Sequence, residues 1–433
     1  MAIQTHSWSA LDEPQRNAML QRPAVAEDVS IRAGTAAIID EVRRNGDAAL
    51  RRLTAKYDRA DIRDLRVSGE ELERAEKSLT PAQLDAIDLA IDNVGKFHRA
   101  QIQADIRVET MQGVLCERVS HPIDAVGLYV PAGTAPLPSA AIMLAVPAQI
   151  AGCPVRVLAT PPRPDGEADP AVLVAASRAG VREMYKVGGA QAIAAMAYGT
   201  ETVPKVAKIF GPGNAWVTSA KTLVSSDPAG AAIDMPAGPS EVLVIADESA
   251  SAEFVASDLL AQAEHGVDSQ VILVTTSSEM GTQVADQIEK QLEQLSRAGI
   301  ARGALENSRI IVVGDIATAI QVSNRYAPEH LILQIAEPRM QLAEIRNAGS
   351  VFVGPWTPES VGDYCSGTNH VLPTYGFART YSGLGVDQFM RQMTVQELSR
   401  EGLENLGAAV VSLAGLEGLD AHAAAVTRRL RTS

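Results

Sequence analysis

The chain has 433 residues, which at roughly 100–200 residues per domain predicts two to three domains and a large core. Its 52 acidic side chains outnumber 38 Lys and Arg, and the net charge of −14 opposes binding to nucleic acid. No apolar run is long enough for a transmembrane helix, the polar N-terminus lacks a signal pattern, and the three cysteines lie far apart. We therefore expect a cytoplasmic protein that handles small molecules, without a nucleic-acid or membrane partner.

The N-terminal segment, residues 1–105, is predicted to be helical. Gly46 interrupts one helical pattern, because a glycine can end a helix in the left-handed conformation. Thr80 begins a clearer helix, in which Gln83 can complete a capping box.

Two series of short apolar runs follow, and each alternates with helical patterns. The runs of the first series are 126–130, 155–159, 183–187 and 208–210, and those of the second are 242–246, 271–275, 310–313, 331–335 and 351–353. This alternation predicts an α/β fold with two Rossmann-like parallel-sheet domains. We place the first domain at 106–235 and the second at 236–378. Residues 379–433 are predicted to form a helical C-terminal tail without a strand, which we expect to pack on another element such as a partner subunit.

No dinucleotide fingerprint of the form GxGxxG follows any predicted strand. The nearest glycine-rich turns are Gly188-Gly189 and 211–214, and each follows a strand and begins a helix. Backbone N–H groups at such helix starts can bind an anion, although the same pattern is typical of a simple tight turn.

Three groups of polar residues are candidates for metal binding, acid–base catalysis or ligand binding. Gln262 and His265 lie three residues apart near a helix end and can share a face, as metal ligands or as surface residues. Glu329 and His330 precede a strand, where they form either an acid–base pair or an exposed ion pair. The polar loop from Asp363 to His370 is a candidate ligand loop or a surface turn.

The longest motifs of the chain resemble those of the histidinol dehydrogenase family. The resemblance covers about residues 30 to 428 and is carried by 127–131, 211–214, 233–241 followed by 262–265, 327–330, and 362–370. Two departures are Ala132, where the family commonly has glycine, and Phe377, where it commonly has tyrosine.

The resemblance implies a homodimeric enzyme that oxidises L-histidinol to L-histidine with NAD through an aldehyde, in the last step of histidine biosynthesis. It also implies one zinc ion (Zn2+) per subunit, a nucleotide site on the first domain, and a C-terminal tail swapped in the dimer so that the subunits share active sites. A set of functional residues follows from it as well. Carried over residue by residue, the zinc ligands are Gln262, His265, Asp363 and His422, the acid–base pair is Glu329 and His330, the substrate contacts are Ser240, Gln262, His265, His330, Asp363, His370, Glu417 and His422, and the NAD contacts are Tyr129, Gln191 and Asn214.

Two other classes of protein fit parts of the pattern. A zinc hydrolase acting on a small polar substrate would use the same metal and acid–base residues and would need no NAD. A two-lobed ligand-binding protein would also have two α/β domains, although the convergence of titratable groups speaks against it.

Overall fold

The structure is a computed structural model that describes residues 3–23, 29–132, 135–235 and 238–431. Its N-terminal part contains β1 (Gln4–Ser7), α1 (Glu13–Met19), α2 (Val29–Tyr57), α3 (Gly69–Ser78), α4 (Pro81–Arg99), β2 (Ile106–Met111) and β3 (Val114–Pro122). The predicted capping box is confirmed, because Thr80 accepts a hydrogen bond from the backbone of Gln83 and Gln83 bonds back. Gly46 interrupts α2 with a φ of 48°, which also confirms the predicted break.

The first parallel sheet has five strands in the order β6-β5-β4-β7-β8. Its elements are β4 (Ala125–Tyr129), α5 (Pro138–Ile150), β5 (Val155–Thr160), α6 (Pro170–Arg178), β6 (Glu183–Lys186), α7 (Gly189–Tyr198), β7 (Lys208–Phe210), α8 (Ala215–Ser225) and β8 (Ala232–Ile233). Apolar clusters cover both faces, with α5 and α6 on one side and α2, α7 and α8 on the other. Burial on both faces explains why these strands are almost uniformly apolar.

The second parallel sheet has six strands in the order β1-β11-β10-β9-β12-β13. It contains β9 (Glu241–Ala246), α9 (Ala252–Ala263), β10 (Gln270–Thr275), α10 (Ser278–Leu292), α11 (Ala298–Glu306), β11 (Arg309–Val312), α12 (Ile316–Tyr326), β12 (His330–Gln334), β13 (Ser350–Val353) and α13 (Glu359–Tyr364). Helices α9 to α11 cover one face, while α12, Trp8 and Leu20 cover the other. Two parallel α/β domains are therefore confirmed.

The N-terminal segment departs from the helical prediction at β1, which is the edge strand of this second sheet. The first residues of the chain thus belong with the second α/β domain, since β1 pairs with a strand about 300 residues later in the sequence.

The tail contains β14 (Met390–Leu398), α14 (Arg400–Leu416) and α15 (Asp420–Arg431). The prediction of a tail without a strand was wrong, because β14 pairs with β3 in a three-stranded antiparallel sheet, β14-β3-β2. Most side chains of β14 are exposed, so its sequence lacks the apolar pattern of a core strand. Four short 3-10 helices, Trp8–Ala10, Pro338–Glu344, Phe377–Arg379 and Val386–Phe389, complete the described elements.

No helix in the described parts of the chain is both long enough and apolar enough to cross a membrane.

Candidate active site

The predicted acid–base residues, Glu329 and His330, lie where two neighbouring strands of the second sheet begin. Glu241 is the first residue of β9 and His330 is the first residue of β12. The backbone N–H of Glu241 donates to Glu329 Oε2 at 2.9 Å, and the backbone oxygen of Glu241 lies 3.1 Å from His330 Nδ1. One backbone unit therefore holds both Glu329 and His330, which are 6% and 4% exposed.

The hydrogen bond at Nδ1 fixes the tautomer of His330. A carbonyl oxygen can only accept, so Nδ1 carries the hydrogen and Nε2 carries the lone pair. His330 Nε2 is buried without a hydrogen-bond partner and lies 3.8 Å from Asp363 Oδ1. Burial, helped by nearby His370 and His265, lowers the pKa of His330 to about 3. The imidazole is therefore neutral near pH 7, with Nε2 available to accept a proton.

Three carboxyl groups surround this imidazole. Glu329 Oε2 lies 3.6 Å and Glu359 Oε1 lies 3.8 Å from His330 Nδ1, while Asp363 is close to Nε2. Burial raises the pKa of Glu329 and Glu359 well above the usual range and raises that of Asp363 to about 7. A bound cation would oppose these shifts by favouring the carboxylate forms.

A group of side chains beside His330 has the arrangement of a metal site. His265, Glu359 and Asp363 offer ligand atoms that all lie within 4.8 Å of one another. Gln262 is buried near the end of α9, and its amide satisfies both neighbours when it is oriented with its nitrogen toward Glu359 and its oxygen 3.2 Å from the backbone N–H of Glu241. Imidazole and carboxylate donors suit a divalent transition metal, so the donor set fits a cation.

Two other predicted substrate residues are close to this group. Ser240 directly precedes Glu241, and its backbone oxygen accepts from the N–H of Gln270 at 3.2 Å. His370 has a buried Nε2 without a hydrogen-bond partner, and burial together with nearby His265 lowers its pKa to about 4. The loop that carries His370 is anchored to the first domain, since Asn369 Nδ2 donates to the backbone oxygen of Met143 at 2.8 Å.

The two tail residues are separate from this cluster in the single chain. Glu417 and His422 are exposed at the turn between α14 and α15 and at the start of α15. Within the described residues, the group able to hold a metal ion consists of His265, Glu359 and Asp363. The assignment of Glu417 and His422 therefore stays a prediction about a second subunit.

The predicted NAD contacts lie where strands of the first sheet end, whereas Glu241 and His330 lie where strands of the second sheet begin. Tyr129 is the last residue of β4, Gln191 lies in the first turn of α7 after β6, and Asn214 caps α8 after β7. The Tyr129 hydroxyl accepts from the N–H of Gly189 at 3.0 Å, and burial raises the pKa of Tyr129 to about 12. Asn214 accepts from the N–H groups of Trp216 and Val217.

The second glycine-rich turn is held by a buried ion pair that the sequence did not reveal. Asp234 forms an ion pair with Lys221 and accepts a hydrogen bond from the backbone N–H of Gly211 at 2.8 Å. Lys221 Nζ in turn donates to the backbone oxygen of Gly211 at 2.9 Å. Gly211 has a φ of 122°, and a side chain there would collide with the backbone oxygen of Tyr129. Only glycine therefore allows β4 and this turn to approach so closely.

Sequence reasoning also missed Glu359, Asp258 and Arg22. Glu359 precedes Asp363 by four residues, and this helical spacing was the available signal that both carboxyls share a face. Asp258 likewise precedes Gln262 by four residues, and burial raises its pKa to about 7. Arg22 bonds to Glu241 across 219 residues, and no local pattern predicts such a contact.

Two parallel α/β domains, with a buried carboxyl–imidazole site on one and glycine-rich turns on the other, define the class: a two-domain α/β enzyme. The family model described as histidinol dehydrogenase matches residues 20–430. Histidinol dehydrogenase of Vibrio vulnificus (strain YJ016) is 56% identical over 428 residues, which cover 99% of this chain and 98% of that protein. Histidinol dehydrogenase of Xanthomonas campestris pv. campestris is 53% identical and covers 99% of both chains.

A solved structure gives the same result. The crystal structure of histidinol dehydrogenase from Elizabethkingia anophelis superposes with a TM-score of 0.95 at 46% identity, covering 99% of this chain and 98% of that one. The chain therefore belongs to the histidinol dehydrogenase family, which confirms the resemblance and identifies an NAD-dependent dehydrogenase. Nothing in these comparisons favours the hydrolase or the ligand-binding protein.

Proposed function

We propose that this protein oxidises L-histidinol to L-histidine with two molecules of NAD+, through the aldehyde, and that zinc is its resident metal. The observation that carries the proposal is the geometry at Glu241, whose backbone holds Glu329 and His330 side by side. His330 Nε2 is left with a free lone pair beside the candidate metal ligands. Family membership supplies the substrate class, and the site supplies the residues that carry out the chemistry.

In this proposal, His330 is the base for both oxidations. Its low pKa keeps the imidazole neutral, so Nε2 can accept the proton of the substrate hydroxyl as a hydride leaves the same carbon for NAD+. Water then adds to the aldehyde, and Glu329 takes a proton from that water. His330 Nε2 then releases its first proton to solvent and accepts the hydroxyl proton of the hydrate as the second hydride leaves for a second NAD+, which yields the carboxylic acid. The backbone N–H of Glu241 holds the Glu329 carboxylate in place for this step.

We assign zinc to Gln262, His265 and Asp363, together with His422 of a second subunit. Bound zinc would orient the amine and imidazole of the substrate and polarise the groups near them. Glu359 lies in the described donor group, and in this proposal it orients Gln262 through the amide that faces it. Ser240, His370 and Glu417 are proposed to contact the substrate.

We place NAD at the ends of β4, β6 and β7, against Tyr129, Gln191 and Asn214. This edge holds the starts of α7 and α8, whose N–H groups favour the negative charge of a pyrophosphate. It also lies at the point where the strand order reverses around β4, since β5 and β7 flank it on opposite sides.

The homodimer is proposed from the exposed apolar surface of the tail. Leu413 and Leu416 of α14 are 61% and 82% exposed, and they directly precede the turn that carries Glu417. Burial of these side chains against a partner would stabilise the assembly by removing apolar surface from water. The same contact would deliver Glu417 and His422 to the neighbouring active site.

The experiment that tests the function counts NADH formed per L-histidinol consumed, before and after metal chelation. We expect two NADH per substrate, loss of activity on chelation, and recovery with zinc. One NADH would show that the aldehyde is released and would contradict the role of Glu329. Absence of NADH from a folded, zinc-loaded sample would contradict the proposed activity.

A further inference from the structure

Arg22 of the N-terminal segment contacts Glu241, the residue whose backbone bonds to Glu329 and His330. Its Nε donates to Glu241 Oε2 at 2.6 Å, and the side chain of Glu241 is only 2% exposed. The guanidinium also stacks on the ring of Tyr326, with its central carbon 3.9 Å from the ring centroid. The contact is therefore a buried charge pair with defined geometry, which differs from a solvent-exposed ion pair.

The same guanidinium holds the end of α12. Arg22 Nη2 donates to the backbone oxygens of Tyr326 at 2.9 Å and of Ala327 at 3.3 Å. Ala327 has a φ of 55° and lies in the left-handed region, which non-glycine residues rarely adopt. This turn leads through Pro328 directly to the acid–base residues, so its direction decides where they lie.

Glu241 transmits the position of Arg22 to the acid–base pair. Its carboxylate is held by Arg22 on one oxygen and by the backbone N–H of Tyr375, at 2.5 Å, on the other. Its backbone N–H and oxygen bond to Glu329 and His330, respectively. A shift of Glu241 would therefore move both acid–base side chains together.

We propose that Arg22 is a positioning residue for the acid–base pair, acting through Glu241 and through the turn at Ala327. The inference rests on the proposed function, because it takes Glu329 and His330 as the groups that move protons. Arg22 contacts none of the residues proposed to bind zinc or NAD. Glu241 also faces Gln262, but Glu359 holds Gln262 from its other side, so the main effect of Arg22 is on the chemical step. A misplacement of about 1 Å near reacting groups costs on the order of 10²-fold in rate.

The test compares Arg22→Ala and Arg22→Lys with a matched control, Arg325→Ala. Arg325 also joins the N-terminal segment to α12, through an ion pair with Glu13 at 2.5 Å, but it makes no bond to Glu241. We measure four properties of each folded, zinc-loaded variant: kcat, the KM values for histidinol and NAD+, the zinc content, and the isotope effect on kcat when histidinol carries deuterium at the carbon that is oxidised.

We expect Arg22→Ala to lower kcat on the order of 10²-fold, with KM values within about threefold, unchanged zinc content and a larger isotope effect. Arg22→Lys keeps the charge but cannot reach all three acceptors, so its kcat should lie between those of Arg22→Ala and the wild type. The control should keep kcat within about twofold. If Arg22→Lys and Arg22→Ala both keep the kcat of the control, the proposal is wrong.

A second readout is independent of the substrate. Nitrogen-15 NMR of the histidine side chains, assigned with His330→Asn, reports which ring nitrogen of His330 carries hydrogen. We expect hydrogen on Nδ1 in the wild type and a mixture of tautomers in Arg22→Lys. An unchanged Nδ1–H signal in that variant would overturn the positioning role, even if histidinol proved not to be the substrate.

Discussion

The two parallel sheets of this protein present opposite edges to their proposed ligands. In the first sheet, Tyr129, Gln191 and Asn214 lie where strands end, at the starts of α7 and α8. In the second sheet, Glu241 and His330 lie where strands begin. The usual position of ligands in open α/β sheets, beyond the carboxyl ends of strands, therefore matches the proposed NAD site and not the proposed metal site.

Helix direction gives this difference a physical meaning. Helices begin at the carboxyl edge of a parallel sheet and end at its amino edge, so the two edges carry opposite partial charges. The first edge offers helix N-termini, which favour a phosphate-bearing cofactor. The second offers helix C-termini: Gln262 and His265 lie at the end of α9 and Asp363 near the end of α13. Negative partial charge and carboxyl groups there favour a cation.

The comparison predicts that substitutions at the amino edge change turnover and metal binding. His330→Asn should lower kcat by about 10²–10⁴-fold, because it removes the proton acceptor, while the KM for NAD+ changes little. The measurement is steady-state kinetics with zinc content determined on the same sample. A rate equal to that of the wild type would remove His330 from the mechanism.

Loss of a metal ligand should have the next largest effect. His265→Asn should weaken zinc binding by at least about tenfold, because it removes one of three grouped donors. Zinc retained after dialysis against a chelator measures this, and Glu264→Gln is the matched control on the neighbouring residue. Equal zinc retention by both variants would contradict the assignment of His265.

A substitution at the carboxyl edge of the first sheet should change the binding of NAD+ and leave metal binding unaffected. Lys221→Met breaks the ion pair with Asp234 and frees the turn at Gly211, so we expect the KM for NAD+ to rise by about tenfold. Zinc content and the KM for histidinol should stay close to wild type. Lys205→Met, which removes an exposed lysine that bonds to the oxygen of Ala229, is the control. If Lys221→Met changed the zinc content more than the affinity for NAD+, the assignment of NAD to the first sheet and of the metal to the second would be contradicted.

The smallest expected effect concerns the stability that a buried carboxyl group in the middle of α9 contributes to the second domain. Burial raises the pKa of Asp258 to about 7, so its protonated form stabilises the fold fully below pH 4 and this contribution is lost as pH rises toward 7. Asp258→Asn keeps a neutral side chain at every pH. We therefore expect its Tm to exceed that of the wild type by a few degrees at pH 8 and by less at pH 5. A Tm difference that is larger at pH 5 would contradict the raised pKa.

The core of the fold could be predicted from local patterns, because its strands are buried on both faces. Residues 242–246 are uniformly apolar, and the structure has a strand at Glu241–Ala246. The strands β1 and β14 could not be predicted in the same way, since most of their side chains are exposed and their partners lie far along the chain. Their existence depends on pairing, which a local pattern does not record.

The candidate site was likewise predictable from the sequence only in part. The adjacent pair Glu329 and His330 was recognisable at the start of a strand, and the structure places His330 3.6 Å from Glu329 and 3.8 Å from Asp363. The role of the Glu241 backbone was not recognisable, because it arises only when β9 and β12 become neighbours. Glu417 and His422 came from the family resemblance alone, and nothing in their local sequence indicates a site.

The strand β14 has a consequence for synthesis of the protein on the ribosome. It pairs residue for residue with β3, from Met390 opposite Pro122 to Leu398 opposite Val114. At about 5–20 residues per second, roughly 270 residues must still be made after β3 emerges, which takes about 14–54 s. During that time one edge of β3 has unpaired N–H and C=O groups, and such edges favour pairing with other chains. The nascent protein therefore carries an edge that can pair with other chains until β14 itself has been made.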